Sequence, residues 1–269
     1  MDRRSGAAYR EVVAAARQVL RDRNCARLAD FIRPDVLATM QGEAAALAPL
    51  ATFTKADLNP YFTTPPAGTP ADHPLRRFAP RRHGMVRGDR FAREGAIWSV
   101  FQSEDLCAFV ADCLGYDRLY TYRDPFGCVN VNVQPAGQAF PWHFDNNDFT
   151  VSIGLKQPRA GGAFEYVPDI RSDGNENYDE VQKVLDGERR RVQSLFLHPG
   201  DLQLFRGGHT LHRVTAPLDE DRHSLLLSYV ADPANIVSAE KAIRIWGEAH
   251  PLHARNTAKH GSSAVCRGL

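Results

Sequence analysis

A split set of ligating side chains, carried on short β-prone segments, limits this chain to few folds. His143 and Asp145 stand one residue apart in Pro-Trp-His-Phe-Asp, and His212 lies far downstream in Leu-His-Arg-Val. Alternate side chains of a strand share a face, so His143 and Asp145 can enter one cavity while Phe144 turns away. His212 completes the set only if its own strand comes to lie beside theirs. Segments 192–198, 201–206, 209–215 and 223–230 are apolar, rich in strand formers and punctuated by Pro199-Gly200 and Gly207-Gly208. Short strands broken by such turns indicate an all-β sandwich or barrel. His212 and Arg222 are then expected on consecutive strands joined by the polar loop 217–221.

Two imidazoles and one carboxylate form a facial triad, the set that holds non-haem Fe(II) and leaves three positions open. Arg222 and Ser224 follow the distal histidine. A guanidinium fork grips a carboxylate at two points, with Ser224 as a further donor. The residues therefore point to an oxygenase using Fe(II), 2-oxoglutarate as cosubstrate and O2. Each piece alone is weak: His-x-Asp recurs by chance, and His209, His212 or His223 could be ordinary hydrogen-bonding residues. The ordered combination carries the reading.

Composition excludes several other classes. The chain has 269 residues, 43% hydrophobic and 24% charged, with a net charge of +1. That balance gives no case for nucleic acid, and Arg189-Arg190-Arg191 reads as a solvated strand entrance. No apolar stretch approaches a membrane span, and the first residues lack the apolar core of a signal peptide. The cysteines (25, 107, 113, 128 and 266) form no Cys-x-x-Cys and are expected as reduced thiols in a cytoplasmic protein.

Helices are expected over 7–22 and 35–48, the second started by Pro34. Another should run from the N-cap Ser103 to Leu114, with Gly115 as its stop. Segment 59–95, rich in Pro, Arg and Gly, reads as an irregular loop walling the site. Segment 128–134 alternates as a strand with Asn130 and Asn132 on one side, and 172–187 reads as a polar insertion with a short helix, a lid or partner surface. The last 20 residues read as surface or tail.

Taken together, the motifs resemble a known family. They are Asn59-Pro-Tyr-Phe62, His73-Pro74, Leu119-Tyr120, Asp124-Pro125, Asn130-Val-Asn132, Pro141-Trp-His-Phe-Asp145, Gly161–Pro168, Pro199-Gly200 and Leu211-His-Arg-Val214. The chain is similar to bacterial Fe(II)/2-oxoglutarate-dependent oxygenases that include the free-amino-acid radical halogenases, of lysine halogenase type, and their sister hydroxylases. The resemblance runs to Tyr229 and implies a mainly β fold with α: a double-stranded β-helix, the jelly-roll or cupin-like core, over 128–235. Residues 1–58 would be helical support, 59–127 the walling loop with its helix, and 236–269 an extension, all within one domain. It also implies a free amino acid or amino-acid-like small molecule as substrate. Oligomeric state stays open, a homodimer being one option. In the halogenases a small residue replaces the carboxylate ligand and chloride fills the vacated position. Asp145 is present here, so hydroxylation is favoured.

Substrate contacts are less legible. Arg81 or Arg82 could meet a carboxylate, and Trp246 could help close the pocket. Asn130, Asn132 and Asn146 could contact substrate or cofactor, or only satisfy backbone groups. Glu165 either faces the cavity or braces a neighbouring strand. His209 could turn towards Arg222 or the pocket, although its context makes it no ligand. Lysine-selective members of the family hold the distal amine with acidic residues, where this chain has Asn146 and Phe140. That departure argues for a less cationic substrate. Desaturation, cyclisation, halogenation, a non-catalytic sensor and a macromolecular hydroxylase are the alternatives.

Overall fold

The computed structural model describes residues 6–53 and 56–256. Helices α1 (Ala7–Arg23), α2 (Pro34–Leu47), α3 (Ala96–Phe101) and α4 (Glu104–Leu114) precede the core. The early strands are β1 (Cys25–Leu28), β2 (Thr52–Phe53), β3 (Asp57–Leu58), β4 (Ala79–Pro80), β5 (Gly84–Val86) and β6 (Tyr120–Thr121). The core strands are β7 (Val129–Gln134), β8 (Phe140–His143), β9 (Thr150–Lys156), β10 (Phe164–Val167), β11 (Gln193–Leu195), β12 (Leu202–Phe205), β13 (Leu211–Val214) and β14 (Arg222–Leu227). Helix α5 (Tyr178–Leu185) lies between β10 and β11, while β15 (Tyr229–Val230) and α6 (Ala239–Trp246) follow the core.

Two antiparallel sheets form the jelly roll. The larger runs β1-β12-β9-β14-β7-β5-β2, and the smaller runs β11-β10-β13-β8. Period-2 alternation divides the residues of each sheet. On the larger one, Val129, Val131, Val133, Val151, Ile153, Leu155, Leu202, Leu204, Leu225 and Leu227 turn outward. There they pack against Val13, Ala16 and Leu20 of α1, Met40 and Ala44 of α2, and the apolar face of α4. Each such burial stabilises by about 1.5–3 kcal/mol. The intervening residues, among them Asn130, Asn132, Gln134, Arg222 and Ser224, face the smaller sheet. The larger sheet is thus apolar outside and polar inside. Its helices hold the scaffold while its inner face stays free for chemistry.

Local signals explain the helix ends. Ser103 Oγ accepts a hydrogen bond from the Leu106 amide at 3.2 Å, a cap worth about 1 kcal/mol. Gly115 ends α4 in the left-handed region at φ 84°, where a Cβ would be disfavoured. Pro34 opens α2 as expected.

Several boundaries differ from expectation. The segment 59–95 is not all irregular, because β5 pairs with β7 and joins the larger sheet. The first 58 residues supply more than helices: β1 pairs with β12, and β2 lies at the opposite edge. The insertion 172–187 is no free lid, since Val181 and Val184 of α5 are buried against Trp142, Phe144 and Leu211 on the outside of the smaller sheet. The C-terminal residues are not simply surface either. His253 is fully buried, and its Nε2 meets Asp124 Oδ2 at 3.1 Å, while 257–269 lie outside the described residues. Cys25, Cys107, Cys113 and Cys128 are buried free thiols. No described helix is long and apolar enough to cross a membrane.

Candidate active site

Strand pairing builds the triad. His212 of β13 is the register partner of His143 on β8, so residues remote in sequence become cross-strand neighbours. Their ring centroids lie 4.1 Å apart. Asp145 stands just beyond β8, where its amide donates to Gly207 O at 3.1 Å. Simple alternation along one strand therefore gives way to a strand end pinned by the Gly207 turn. Asp145 Oδ1 lies 3.6 Å from His143 Nε2 and 3.4 Å from His212 Nε2. One ligand atom from each residue falls within 4.8 Å of the others.

Hydrogen bonds behind the rings set their tautomers. His143 Nδ1 lies 2.8 Å from Pro141 O, and His212 Nδ1 lies 2.8 Å from Thr210 O. A carbonyl only accepts, so each Nδ1 carries the proton and each Nε2 offers its lone pair to a metal. Burial and the neighbouring His212 push His143 down to about 4, so its ring is neutral and ready to ligate. Burial works to raise the Asp145 carboxyl, but the two imidazoles outweigh it and hold the group well below the usual carboxylate range. Its other oxygen, Oδ2, accepts from Thr150 Oγ1 at 2.6 Å. Two imidazoles and one carboxylate match Fe(II) in donor type.

Arg222 begins β14 and projects between the sheets. It is buried, and among the described residues its guanidinium is hydrogen-bonded to Ser224 Oγ alone, at 3.3 Å. No acidic side chain pairs with it among the described residues, and its Nε has no acceptor. Burial alone lowers it to about 10, leaving it charged at neutral pH. A buried cation without a counterion is costly, so the position suits an anion. Asn132 Oδ1, in the same row of the inner face as Ser224, is likewise buried without a donor.

The remaining candidates separate cleanly. Arg81 lies against the site, its guanidinium 4.9 Å from the Phe140 ring and 5.5 Å from that of Phe62. Arg82 instead turns to Asp57 at 2.8 Å. Asn130 is spent on the scaffold, donating to Phe126 O at 2.7 Å. Asn146 is half-buried beside Asp145. Glu165 does not face the cavity; Phe164 and Tyr166 take the inner side, and Glu165 braces β13 through Arg213 at 2.7 Å. Trp246 belongs to a cluster with Phe126, Val237 and Ala242, which Met85 joins to the inner face. His209 is in a turn, not a strand, and pairs with Asp173 at 3.2 Å instead of Arg222.

Sequence reasoning missed four contributors. Thr150 carries no motif beyond its position opening β9. Gly207 reads as a mere turn, yet a Cβ there would fall 2.2 Å from Asp145 Oδ2. Phe140 should alternate away from His143, but a register shift between β13 and β8 places it in a ring stack on His143 at 4.0 Å, as bulges do. His83, buried and packed on the Phe140 ring with centroids 4.1 Å apart, had only its neighbours Arg81 and Arg82 to mark it.

Comparison with known proteins agrees with this geometry. The family model Halogenase D matches residues 8–246. No curated protein sequence matches the chain. AviO1 from Streptomyces viridochromogenes Tue57 is similar in structure at TM-score 0.56 and 18% identity, covering 83% of this chain and 96% of its own. A Pseudomonas putida prolyl-4-hydroxylase gives 0.50 and 15%, covering 80% and 97%. EctD from S. alaskensis, solved with 2-oxoglutarate and 5-hydroxyectoine, gives 0.52 and 16%, covering 80% and 75%. With a jelly roll that carries the His-Asp-His triad between its sheets, the chain belongs to the Halogenase D family and has the fold of the 2-oxoglutarate- and Fe(II)-dependent oxygenases.

Proposed function

We propose that the protein is an Fe(II)- and 2-oxoglutarate-dependent dioxygenase that hydroxylates an unactivated C–H bond of a free amino acid or amino-acid-like small molecule. The observation that carries this reading is the complete triad: Asp145 lies within 3.6 Å of both imidazoles. A metal-bound carboxylate and a halide compete for one coordination position. Family membership alone would favour halogenation, and Asp145 opposes it.

The residues divide the work. His143, Asp145 and His212 would hold the metal on one face, while Thr150 and the carbonyls of Pro141 and Thr210 fix their orientation. Arg222 and Ser224 would clamp the far carboxylate of 2-oxoglutarate. When bound, iron and 2-oxoglutarate supply O2 activation coupled to loss of CO2, leaving succinate. Phe140 and Phe62 flank His143 at 4.0 and 5.4 Å and keep water from that side. Arg81 would meet the substrate carboxylate, with Asn132 and Asn146 as polar contacts and Trp246 behind Met85. Holding the reacting carbon close to the metal decides the product.

The test is succinate release under air with Fe(II), 2-oxoglutarate and ascorbate, against a panel of free amino acids. Stimulation by one panel member, with a product heavier by one oxygen, supports the reading. A folded protein that binds no 2-oxoglutarate ends it. A chlorinated product at the same site would show that Asp145 yields its position.

A further inference from the structure

The turn 207–210, between β12 and β13, governs two of the three candidate ligands. Gly207 O accepts from the Asp145 amide at 3.1 Å, and the His209 amide closes the turn on Arg206 O at 3.2 Å. Thr210 O accepts from His212 Nδ1 at 2.8 Å. Two successive glycines leave such a turn conformationally free unless something outside stiffens it. That support comes from the segment after β10. Arg171 Nε donates to Gly208 O at 2.6 Å, a short, charge-assisted bond. Two residues on, Asp173 lies 3.2 Å from His209 Nε2. This second pair is exposed and adds little by itself, so Arg171 is the member that bears on the turn.

Arg171 also reaches the other side of Asp145. Its guanidinium carbon lies 3.9 Å from the centroid of the Phe144 ring, a cation–π distance. Phe144 separates His143 from Asp145 in sequence and is buried in the cluster outside the smaller sheet. Its ring meets Tyr61 at 5.2 Å, and its amide donates to Pro60 O at 2.8 Å. The backbone of Asp145 is thus held between Phe144 and Gly207, and one guanidinium touches the supports on both sides. Arg171 is itself fixed. Its Nη1 pairs with Glu176 at 2.8 Å, and Ser172 and Asn175 exchange backbone hydrogen bonds at 3.0 Å. Asn177 Nδ2 donates to Ile170 O at 2.8 Å. Val181 and Val184 then anchor α5 in the same cluster as Phe144.

We propose that Arg171 is a positioning residue for the metal site. By clamping the turn 207–210 to Phe144, it sets where the Asp145 carboxylate and the His212 ring stand relative to His143. The insertion 172–187 then serves as an outer brace of the site. The proposal rests on the dioxygenase reading above and adds to it a residue on the opposite side of the smaller sheet from the ligands. The planar fork matters, because Nε serves Gly208 O while Nη1 serves Glu176. A lysine ammonium supplies the charge as a point without that spacing.

The experiment titrates the metal-free protein with Fe(II) anaerobically, and compares wild type with Arg171→Met, Arg171→Lys and Val181→Ala. Val181→Ala is the control for packing, since it loosens α5 in the same cluster without touching the turn. Thermal melting of each metal-free protein reports the fold, and the visible charge-transfer band of the Fe(II)·2-oxoglutarate complex reports the metal's surroundings. Arg171→Met should weaken Fe(II) binding by about tenfold or more, the usual loss when a support behind a ligand is removed, and should shift the band. Arg171→Lys should fall between Arg171→Met and wild type. Val181→Ala should melt lower yet bind Fe(II) as wild type does. In turnover, Arg171→Met should lower kcat while the KM for 2-oxoglutarate stays within about twofold, because Arg222 and Ser224 keep their charge-assisted contacts. Unchanged Fe(II) affinity in folded Arg171→Met, or an equal loss in Val181→Ala, each overturns the proposal. Should Arg171→Met fail to fold, Arg171→Lys decides, since wild-type affinity there overturns it and weaker binding upholds it. Absence of Fe(II) binding in wild type would instead overturn the cofactor reading, and the proposal with it.

Discussion

Gly207→Ala is the most incisive single change available. The glycine lies outside the left-handed region, so alanine fits its backbone and the turn should survive. Its new methyl, however, would fall 2.2 Å from Asp145 Oδ2 and 2.7 Å from Asp145 Cβ, where real contacts essentially never come under 3.0 Å. The carboxylate must therefore retreat by about 1 Å, and a misplacement of that size costs about 100-fold in rate. It would also break the 2.6 Å bond from Thr150. Losing such orienting contacts typically weakens metal binding about 10- to 100-fold, or roughly 1.4–2.8 kcal/mol. The assay is anaerobic Fe(II) titration of the purified variant, alongside thermal melting of the metal-free protein. Metal affinity should fall while the metal-free fold, judged by circular dichroism, is kept. Unchanged affinity and turnover in a folded Gly207→Ala protein would refute the claim that this turn sets the position of Asp145.

Other changes probe neighbouring parts. Asp145→Ala should abolish substrate-dependent succinate release while the protein stays folded; retained hydroxylation would remove Asp145 from the triad. Arg222→Ala should raise the KM for 2-oxoglutarate by about 10- to 100-fold, the value of a charged hydrogen bond, and unchanged cosubstrate affinity would unseat that assignment. Glu165→Gln should leave kcat within about twofold, since a partly exposed brace contributes about 1 kcal/mol or less; a large loss would place Glu165 in the chemistry. Burial raises the Cys25, Cys113 and Cys128 thiols to about 12 from 9.0. The unfolded chain therefore releases these protons above about pH 9 while the native fold keeps them to about 12, so stability should fall across that window. Denaturant melts at pH 8 and 10.5 check this, and a midpoint insensitive to alkali would contradict the burial.

The candidate triad was legible because metal chemistry limits which residues can serve and because its strands carry plain β signals. The ends of α4 were legible for a similar reason, since Ser103 and Gly115 act locally. What escaped depends on contacts between distant segments. Glu165 faces outward because Phe164 and Tyr166 fill the inner side, and a single strand's pattern does not say which side that is. Phe140 joins His143 through a shift in pairing that only the partner strand reveals. His253 looks like tail until Asp124 is seen beside it. His209 reads as strand, yet Gly207-Gly208 leaves it in a turn.

The pairing of His143 opposite His212 makes the ion a referee of chain assembly. A slip by two residues between those strands would separate the imidazoles by about 7 Å, beyond the span of one coordination sphere. Metal then rewards a single alignment of the smaller sheet, by RT ln(1 + [L]/Kd). Refolding with and without Fe(II) should differ most in how faithfully β8 finds β13.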